Sequence, residues 1–377
     1  MNIKNVVVIG SGTMGSGIAA QLCNANIPVT LLDLKTEISE KAKKRIFESR
    51  PPLLIDKSKI NNIRAGNIEE NFDLVKTADW VVEAVVEKID IKHNLYEKIL
   101  KTRKKDSIIS SNTSTIPLKI LSSKMSNEDK KDFCITHFFN PVRYTGLLEI
   151  VSENINDIKK INFLKNFCED SLGKGVILCK DTPGFIGNRI GIFWVQCAIH
   201  EAIRAGLTVE EADAVMGRPI GVPKTGVFGL MDVVGIDLIP HISISMLANL
   251  PKEDEYCKIH NEAKTMKSML EEMIEEGYTG RKGKGGFYRL NKEDGKKIKE
   301  ARNIETGEYA PANRKVRMGS IRAAKKGLGK LVNHEDKGGQ YAWKVLSQTL
   351  SYAASLVPEI SDSIVDIDNA MKNGYMW

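Results

Sequence analysis

Short apolar runs recur along the first half of the chain, separated by stretches of helical length. The runs are Val6 to Ile9, Val29 to Leu32, Trp80 to Val86, Ser107 to Ser111, Phe133 to Phe139 and Leu147 to Val151. Strands that alternate with helices in this way predict an α/β fold with a doubly wound parallel sheet. In an open sheet of this kind, ligands bind outside the carboxyl ends of the strands, so site residues are expected there.

From residue 184 the pattern changes to helical spacing. Apolar residues from Gly184 to Arg204 recur at helical intervals, and Thr208 with Glu211 makes a capping box before a second helix. A later segment is polar, charged and poor in aromatic residues, which favours a linker. The pattern therefore predicts an α/β domain, an all-helical domain, a linker and a further helical segment over 1–183, 184–290, 291–338 and 339–377.

Part of the helical domain recurs after the predicted linker. Asp213-Ala214-Val215-Met216 is echoed 155 residues later by Asp368-Asn369-Ala370-Met371, and the echo stops at Tyr375-Met376-Trp377. We interpret 339–377 as a truncated second helical repeat, although chance similarity between two helices would give the same echo. A truncated domain exposes apolar surface, which costs about 25 cal/mol per Å². We therefore expect a longer polypeptide, another copy or a subunit to cover this end.

A glycine-rich turn follows the first apolar run, and an acid ends the second. The turn reads Gly10-Ser11-Gly12-Thr13-Met14-Gly15, and Asp33 lies 18 residues beyond Gly15. Roughly 20 residues are expected before an acid that accepts ribose hydroxyls. Gly10 allows a tight turn, Gly12 lets the backbone approach a pyrophosphate, and the last glycine lets the helix pack on the strand.

This unit of strand, turn, helix and strand predicts a Rossmann-like dinucleotide-binding domain. The amides and dipole at the start of the helix point at the phosphates. The carboxylate at the end of the second strand also repels a 2′-phosphate, so NAD is favoured over NADP. A chance glycine turn is the alternative, because glycines occur in many turns. The predicted cofactor-binding residues in this unit are Gly10, Gly12, Thr13, Met14, Gly15 and Asp33.

A histidine and an acid lie in two of the later apolar runs. His137 is within Phe133 to Phe139, and Glu149 follows 12 residues later within Leu147 to Val151. Beside a bound nicotinamide, an imidazole can take the proton that leaves as hydride departs. An acid in an apolar strand is costly unless paired, and pairing with one imidazole nitrogen leaves the other as a base. The alternatives are a hydrogen-bonded core histidine and a strand-edge acid facing water.

Polar clusters follow two other predicted elements. Ser110 to Ser114 comes after a strand, and Asp181 to Arg189 opens the helical domain. Within these clusters, Ser114 and Asn188 can hold the substrate oxygen while it changes between hydroxyl and carbonyl. Each is also typical of a turn or a cap.

Composition restricts the function classes further. The 377 residues suffice for two or three domains, and 42% hydrophobic with 27% charged residues is ordinary for a soluble protein. We expect a cytoplasmic protein that does not insert into membranes, because no apolar run has the length of a span and no signal sequence is visible.

Six scattered cysteines predict buried thiols and no metal. The net charge of +7 comes from lysines interleaved with acids, which favours a polyanionic small substrate or a solvated surface over nucleic acid.

Together these motifs resemble the L-3-hydroxyacyl-CoA dehydrogenases of fatty-acid β-oxidation, in the family's order over residues 1–290. The matching pieces are Val-Ile-Gly-Ser-Gly-Thr-Met-Gly at 8–15, Val-Val-Glu-Ala-Val-Val-Glu at 81–87, Ser-Asn-Thr-Ser at 111–114, His-Phe-Phe-Asn-Pro-Val at 137–142, Lys-Asp-Thr-Pro-Gly-Phe-Ile-Gly-Asn-Arg at 180–189 and Gly-Gly-Phe-Tyr at 285–288. The resemblance implies NAD-dependent oxidation of L-3-hydroxyacyl-CoA to 3-ketoacyl-CoA.

The resemblance also implies roles for individual residues. His137 is the general base, Glu149 orients it, and Ser114 and Asn188 are ligands of the reacting oxygen. The basic stretch from Lys44 to Lys57 resembles the family's CoA-contacting helix pair only loosely, so no CoA ligand is assigned. The residues implied to help hold the nicotinamide cofactor are Glu87, Lys92, Asn112, Asn140 and Lys282.

Partners follow from one departure from the family pattern. The family commonly has Gly-Pro-Phe where this chain reads Gly226-Val227-Phe228. This motif and the repeat resemble those of long bacterial proteins that join the dehydrogenase to an enoyl-CoA hydratase segment. Such a segment would follow Trp377. Expected partners are therefore an acyl-CoA substrate and either a second copy, in a homodimer, or that segment. A dehydrogenase of a small free hydroxy acid and a non-catalytic NAD-binding scaffold are the alternatives.

Overall fold

The chain divides into two units in the computed structural model, which describes residues 2–293 and 296–377. The first unit consists of the residues up to Ile186 together with Pro358–Gly374. The second consists of Gly187–Val357 together with Tyr375–Trp377. The change of pattern predicted at residue 184 lies close to this division.

The first unit is built on an eight-stranded sheet in the order β3-β2-β1-β4-β5-β6-β7-β8. All neighbouring strands are parallel except β6 and β7, which are antiparallel. The order reverses between β1 and β4, which is where a doubly wound sheet forms its ligand crevice. The strands are β1 Val6–Ile9, β2 Val29–Asp33, β3 Ile63–Asn67, β4 Trp80–Glu83, β5 Ile108–Ser111, β6 Phe133–Phe138, β7 Leu147–Val151 and β8 Gly175–Cys179.

Helices follow most of these strands and make up most of the second unit. In chain order they are α1 Thr13–Asn24, α2 Thr36–Glu48, α3 Ile89–Thr102, α4 Leu118–Leu121, α5 Asn127–Lys130, α6 Ile158–Asp170, α7 Gly187–Arg204, α8 Val209–Val215, α9 Gly226–Val234, α10 Leu238–Asn249, α11 Glu255–Glu262, α12 Lys264–Glu275, α13 Gly319–Ala323, α14 Leu328–Val332, α15 Lys337–Ser355 and α16 Ile364–Tyr375. Short 3₁₀ helices occur at Lys57–Asn62, Phe72–Thr77, Arg218–Ile220 and Ala324–Lys326.

The core of the first unit lies between the central strands and α1. Val6 and Val8 of β1 are buried together with Ile18 and Leu22 of α1. The four consecutive apolar residues of β1 are all buried, as is typical of a parallel strand covered on both faces. The predicted Rossmann-like sheet is therefore confirmed.

In the second unit, α7 is almost completely buried, and α15 packs along it. The ring of Phe193 stacks on that of Tyr352 with centroids 4.0 Å apart, and the hydroxyl of Tyr341 donates to the carbonyl of Ala198 at 3.0 Å. The capping box of Thr208 and its partner acid begins α8, as predicted. Among the described residues no single helix is long and apolar enough to cross a membrane, although α9 and α10, with a sharp bend between them, pass that test as a pair.

Two strands of the sheet lie outside the apolar runs that the sequence analysis singled out. The edge strand β3 buries only Ile63 and Gly66, so it has no apolar run to reveal it. β8 is a short run between two glycine-containing turns. The antiparallel direction of β7 also differs from the all-parallel prediction, because only a short turn containing Pro141 and Gly146 separates it from β6.

The predicted linker over 291–338 is wrong as a description of this segment. Its first part belongs to a three-stranded antiparallel sheet, and α13 and α14 follow. The strands are β9 Tyr288–Glu293, β10 Lys296–Arg302 and β11 Tyr309–Pro311. Charged residues satisfy one another there: Arg289 pairs with Glu300 at 2.6 Å, and the buried Arg302 pairs with Glu272 at 3.1 Å. Polar composition therefore reflects ion-paired strands and not a loose arm.

The predicted helical segment over 339–377 is not a separate body. α15 belongs to the second unit, whereas Pro358–Gly374, with most of α16, belongs to the first. The side chain of Asn373 lies against Gly146 and Gly175, and a Cβ at Gly175 would overlap its amide. The apolar end is partly covered, since the rings of Trp377 and Trp194 meet edge to face at 5.3 Å. That the segment is a repeat of the helical domain stays a prediction.

Candidate active site

The strongest candidate for chemistry is a histidine and a glutamate on adjacent antiparallel strands. The register of β6 and β7 sets His137 directly opposite Glu149. Nδ1 of His137 lies 2.7 Å from Oε2 of Glu149, and both side chains are buried. A carboxylate can only accept, so Nδ1 carries the proton and Nε2 of the neutral ring is left as an acceptor.

The carboxylate of this dyad is itself held in place. Oε1 of Glu149 accepts a hydrogen bond from the backbone amide of Ile186 at 3.0 Å. Aromatic rings surround the imidazole, with the centroids of Phe139 and Phe185 at 4.4 and 5.7 Å from it. Burial among apolar rings strengthens the hydrogen bond between the imidazole and the carboxylate. The carboxylate is thus held from two sides, by the imidazole and by the amide of Ile186.

A buried thiol lies beside the dyad without contributing to its chemistry. Burial raises the pKa of Cys179 well above its ordinary value, and the neighbouring charge of Glu149 raises it further. The thiol therefore stays neutral. All six cysteines are free and buried, and among the described residues no group of three or more possible ligands is arranged to hold a metal ion.

The glycine turn at the end of β1 has the shape that a dinucleotide needs. Gly10 has a φ of +100°, and a Cβ there would overlap the carbonyl oxygen of Ala84. A Cβ at Gly15 would overlap the carbonyl oxygen of Gly10, whereas one at Gly12 would meet nothing within 4 Å. The turn therefore packs tightly against the protein at Gly10 and Gly15, and the space beside Gly12 is empty. This fits the approach of a pyrophosphate to the amides that begin α1, where Thr13 is exposed.

Asp33, at the end of β2, is tied to the same turn. Oδ2 of Asp33 accepts from the amide of Ser11 at 2.7 Å and from its hydroxyl at 2.6 Å, and Oδ1 accepts from the amide of Leu34 at 2.8 Å. These three bonds fix the carboxylate and leave about one lone pair, on Oδ1, for a ribose hydroxyl. The contact between Asp33 and Ser11 was not predicted, because spacing alone does not show which turn residue faces the acid.

A buried charge cluster lies at the carboxyl ends of β4 and β5. The ammonium of Lys92, only 1% exposed, pairs with Glu83 at 2.7 Å and with Glu87 at 3.1 Å. Burial raises the pKa of Glu87, but the charge of Lys92 and hydrogen bonds from Thr113 and Thr115 outweigh burial and hold it below its ordinary value. The structure thus brings Glu87 and Lys92 together as a pair; direct contact of either with the cofactor stays a prediction.

Glu83 is the residue of this cluster that the sequence analysis missed. It is fully buried and accepts from Lys92, from the hydroxyl of Tyr96 at 2.6 Å, from that of Ser111 at 2.7 Å and from the amide of Val85 at 2.8 Å. Glu83 could have been found from the sequence because it is an acid within an apolar run. Glu149 was identified by that same pattern in another run.

The remaining predicted residues fall into two groups. In the first unit, Oδ1 of Asn112 accepts from the amide of Phe138 at 3.0 Å, which supports the strand end beside the imidazole. Ser114 is half-buried in the loop after β5, and Asn140 is exposed after β6. In the second unit, Asn188 is buried in the first turn of α7, and Lys282 pairs with Asp237 at 2.7 Å. The substrate and cofactor contacts of these residues stay predictions.

Comparison with known proteins finds two domain families that together match most of the chain. The NAD-binding domain of 3-hydroxyacyl-CoA dehydrogenase matches residues 5–182, and the C-terminal domain of 3-hydroxyacyl-CoA dehydrogenase matches residues 184–290. The chain belongs to the 3-hydroxyacyl-CoA dehydrogenase family. It therefore carries the NAD-binding domain of an oxidoreductase family, and NAD is the cofactor that this domain binds.

Relatives of this family cover the chain to different extents. A Rickettsia felis protein named as a fatty acid oxidation complex trifunctional enzyme is 41% identical over the whole chain, which spans 52% of that protein. The human mitochondrial hydroxyacyl-coenzyme A dehydrogenase is 31% identical over 76% of this chain and 91% of its own. The chain thus spans about half the length of the Rickettsia relatives that it matches.

A solved structure extends the likeness to the whole chain. The 3-hydroxybutyryl-CoA dehydrogenase of Escherichia coli superposes with a TM-score of 0.70, covering 100% of this chain and 89% of its own. At 19% identity this likeness shows the fold. The C-terminal segment beyond residue 290 therefore has a structural counterpart in that protein.

Proposed function

We propose that the chain catalyses NAD-dependent oxidation of L-3-hydroxyacyl-CoA to 3-ketoacyl-CoA, with His137 as general base and Glu149 as its orienting acid. The observation that carries this proposal is the distance of 2.7 Å between Nδ1 and Oε2 in a buried pair. Family membership supports the substrate class, and the open glycine turn supports the cofactor.

Each partner of the dyad has a defined task in this proposal. Nε2 of His137 takes the proton of the 3-hydroxyl group, and Nδ1 keeps its own proton towards Glu149. The carboxylate, held by the amide of Ile186, stabilises the imidazolium that forms. Acceptance of the hydride from C3 is the chemistry that NAD would supply when bound.

The biological setting that we propose is fatty-acid β-oxidation. The Rickettsia relative is named for a fatty acid oxidation complex, and it is about twice as long as this chain. We propose that an enoyl-CoA hydratase activity acts with this dehydrogenase, because hydration of an enoyl thioester yields the 3-hydroxy substrate.

Substitution of the base tests the proposal directly. His137→Ala should lower kcat by at least about a hundredfold, the usual contribution of a general base. NADH binding should remain, because the glycine turn and Asp33 are untouched. The measurement combines steady-state reduction of acetoacetyl-CoA, followed by NADH absorbance, with titration of NADH fluorescence. Undiminished turnover by the variant would exclude this residue as the base.

The substrate class is tested by comparing acetoacetyl-CoA with free acetoacetate. A CoA-dependent enzyme should show a far higher kcat/KM for the thioester, since the CoA part supplies binding energy that a small acid lacks. Equal values would favour a dehydrogenase of free hydroxy acids. Absence of turnover on both, with NADH still bound, would favour a scaffold.

A further inference from the structure

An arginine of α2 reaches the glycine turn. Nη2 of Arg45 donates to the carbonyl of Ser11 at 2.8 Å and to the hydroxyl of Ser16 at 2.9 Å. The hydroxyl of Ser16 also donates to the carbonyl of Ser11 at 2.9 Å. The residue between Gly10 and Gly12 is therefore fixed through its carbonyl by a charged donor from the next helix.

Asp33 holds the amide and hydroxyl of Ser11. Asp33 accepts from the amide and the hydroxyl of Ser11, so this turn residue lies between a carboxylate and a guanidinium. Among the described residues no ion pair joins Arg45 to Asp33. The positive charge of the guanidinium is thus not neutralised by the acid beside it.

Three lysines within residues 44–59 are engaged elsewhere. Lys44 approaches Glu48, Lys57 lies over the ring of Phe47, and Lys59 donates to Asn24 and Asn26. Both hydrogen bonds of Arg45 to described residues use Nη2. Its Nε and Nη1 groups remain available to an anion, and a guanidinium presents such groups in a fork that suits phosphate.

We propose that Arg45 is a positioning and specificity-determining residue of the dinucleotide site. It fixes the carbonyl of Ser11, which keeps the amides after Gly12 directed outwards, and its free N–H groups supply positive charge to phosphate oxygens. The inference rests on the use of NAD described above. Because Asp33 is predicted to repel a 2′-phosphate, the guanidinium should bind that phosphate only once the carboxylate charge is removed.

Direct titration of NADH fluorescence without acyl-CoA tests the positioning role. Arg45→Gln should weaken NADH binding by about tenfold, the usual effect of losing a charge-assisted hydrogen bond, and should reduce the dependence of Kd on NaCl. Arg45→Lys should keep the salt dependence while losing part of the affinity. Arg64→Gln, an exposed arginine of β3, is the charge-matched control and should behave as wild type. Wild-type affinity and salt dependence in Arg45→Gln would overturn the proposal, whatever the turnover on acyl-CoA.

Titration with NADPH tests the specificity role. Asp33→Asn keeps the shape of the acid and removes its charge, so the variant should gain measurable NADPH affinity. Adding Arg45→Gln to that variant should reduce NADPH affinity by about tenfold. If the double variant binds NADPH as tightly as Asp33→Asn alone, Arg45 does not serve the phosphate. Melting temperatures of all variants, compared with Arg64→Gln, identify any that fail to fold.

Discussion

At the scale of single residues, two buried acids organise the polar contacts of the candidate site in the first unit. Glu149 and Glu83 both lie in apolar strands, and each is satisfied by several donors. A buried acid needs a partner, and this rule identified His137 as the partner of Glu149 because the two residues lie in neighbouring apolar runs. The same rule could not identify Lys92 as the partner of Glu83. Which side chain of α3 faces the strand depends on packing.

Substitutions at the last two glycines of the turn, Gly12 and Gly15, should fail in different ways. Gly15→Ala places a Cβ into the carbonyl of Gly10, so unfolding free energy should fall by at least about 2 kcal/mol. Gly12→Ala places its Cβ in open space and should cost less than about 1 kcal/mol, yet it should abolish detectable NADH binding. Urea unfolding and NADH fluorescence separate the two effects. A stable Gly15→Ala, or NADH affinity retained in Gly12→Ala, would contradict this view of the turn.

At the scale of elements, the sequence predicted the strands that are marked by a short continuous apolar run. β1, β7 and the glycine turn are where the pattern put them. The edge strand β3 was missed because few of its residues are buried. β10 was assigned to a linker because it is rich in charged residues, and the structure pairs Glu300 with β9 and Arg302 with α12. Of the candidate site, the dyad was predictable because a histidine and an acid lie in neighbouring apolar runs, whereas the contact of Arg45 with the turn needed three-dimensional packing.

A buried ion pair ties three helices of the second unit. Arg189 of α7, fully buried, bonds to Asp254, which begins α11, and to the hydroxyl of Tyr352 in α15. Arg189→Met would leave Asp254 as an unpaired buried charge, so unfolding free energy should fall by about 3–5 kcal/mol. Arg204→Met, on the exposed end of α7, should change it by no more than about 0.5 kcal/mol. Equal urea midpoints for the two variants would show that the buried pair is not stabilising.

At the scale of the whole molecule, stability should depend on pH through a buried acid. Asp213 accepts from the amides of Phe228 and Gly229 and from the hydroxyl of Tyr288. Burial outweighs these bonds and raises its pKa from 3.8 to about 7. The folded chain therefore binds this proton more tightly than the unfolded chain. The contribution of this group to the free energy of unfolding is fully present below pH 3.8 and is lost as pH rises to about 7.

Asp213→Asn tests this linkage, since the variant side chain does not titrate. The stability of wild type relative to the variant, from urea unfolding, should be larger at pH 5 than at pH 8. Asp73→Asn, at an exposed acid of the first unit, should show a similar offset from wild type at both pH values. If the offset for Asp213→Asn is also constant, the pKa of this acid is not raised in the folded chain.

The contact of α16 with the sheet bears on where the protein is trimmed for experiments. A fragment ending at residue 290 would keep both regions that match the family, yet it would strip Asn373 from Gly146 and Gly175, beside the starts of β7 and β8. Glu149 lies on β7, a few residues from that bare patch. Boundaries drawn by likeness alone would thus separate the strand that carries the proposed dyad from the helix that packs beside it, and we expect rates measured on such a fragment to understate those of the intact chain.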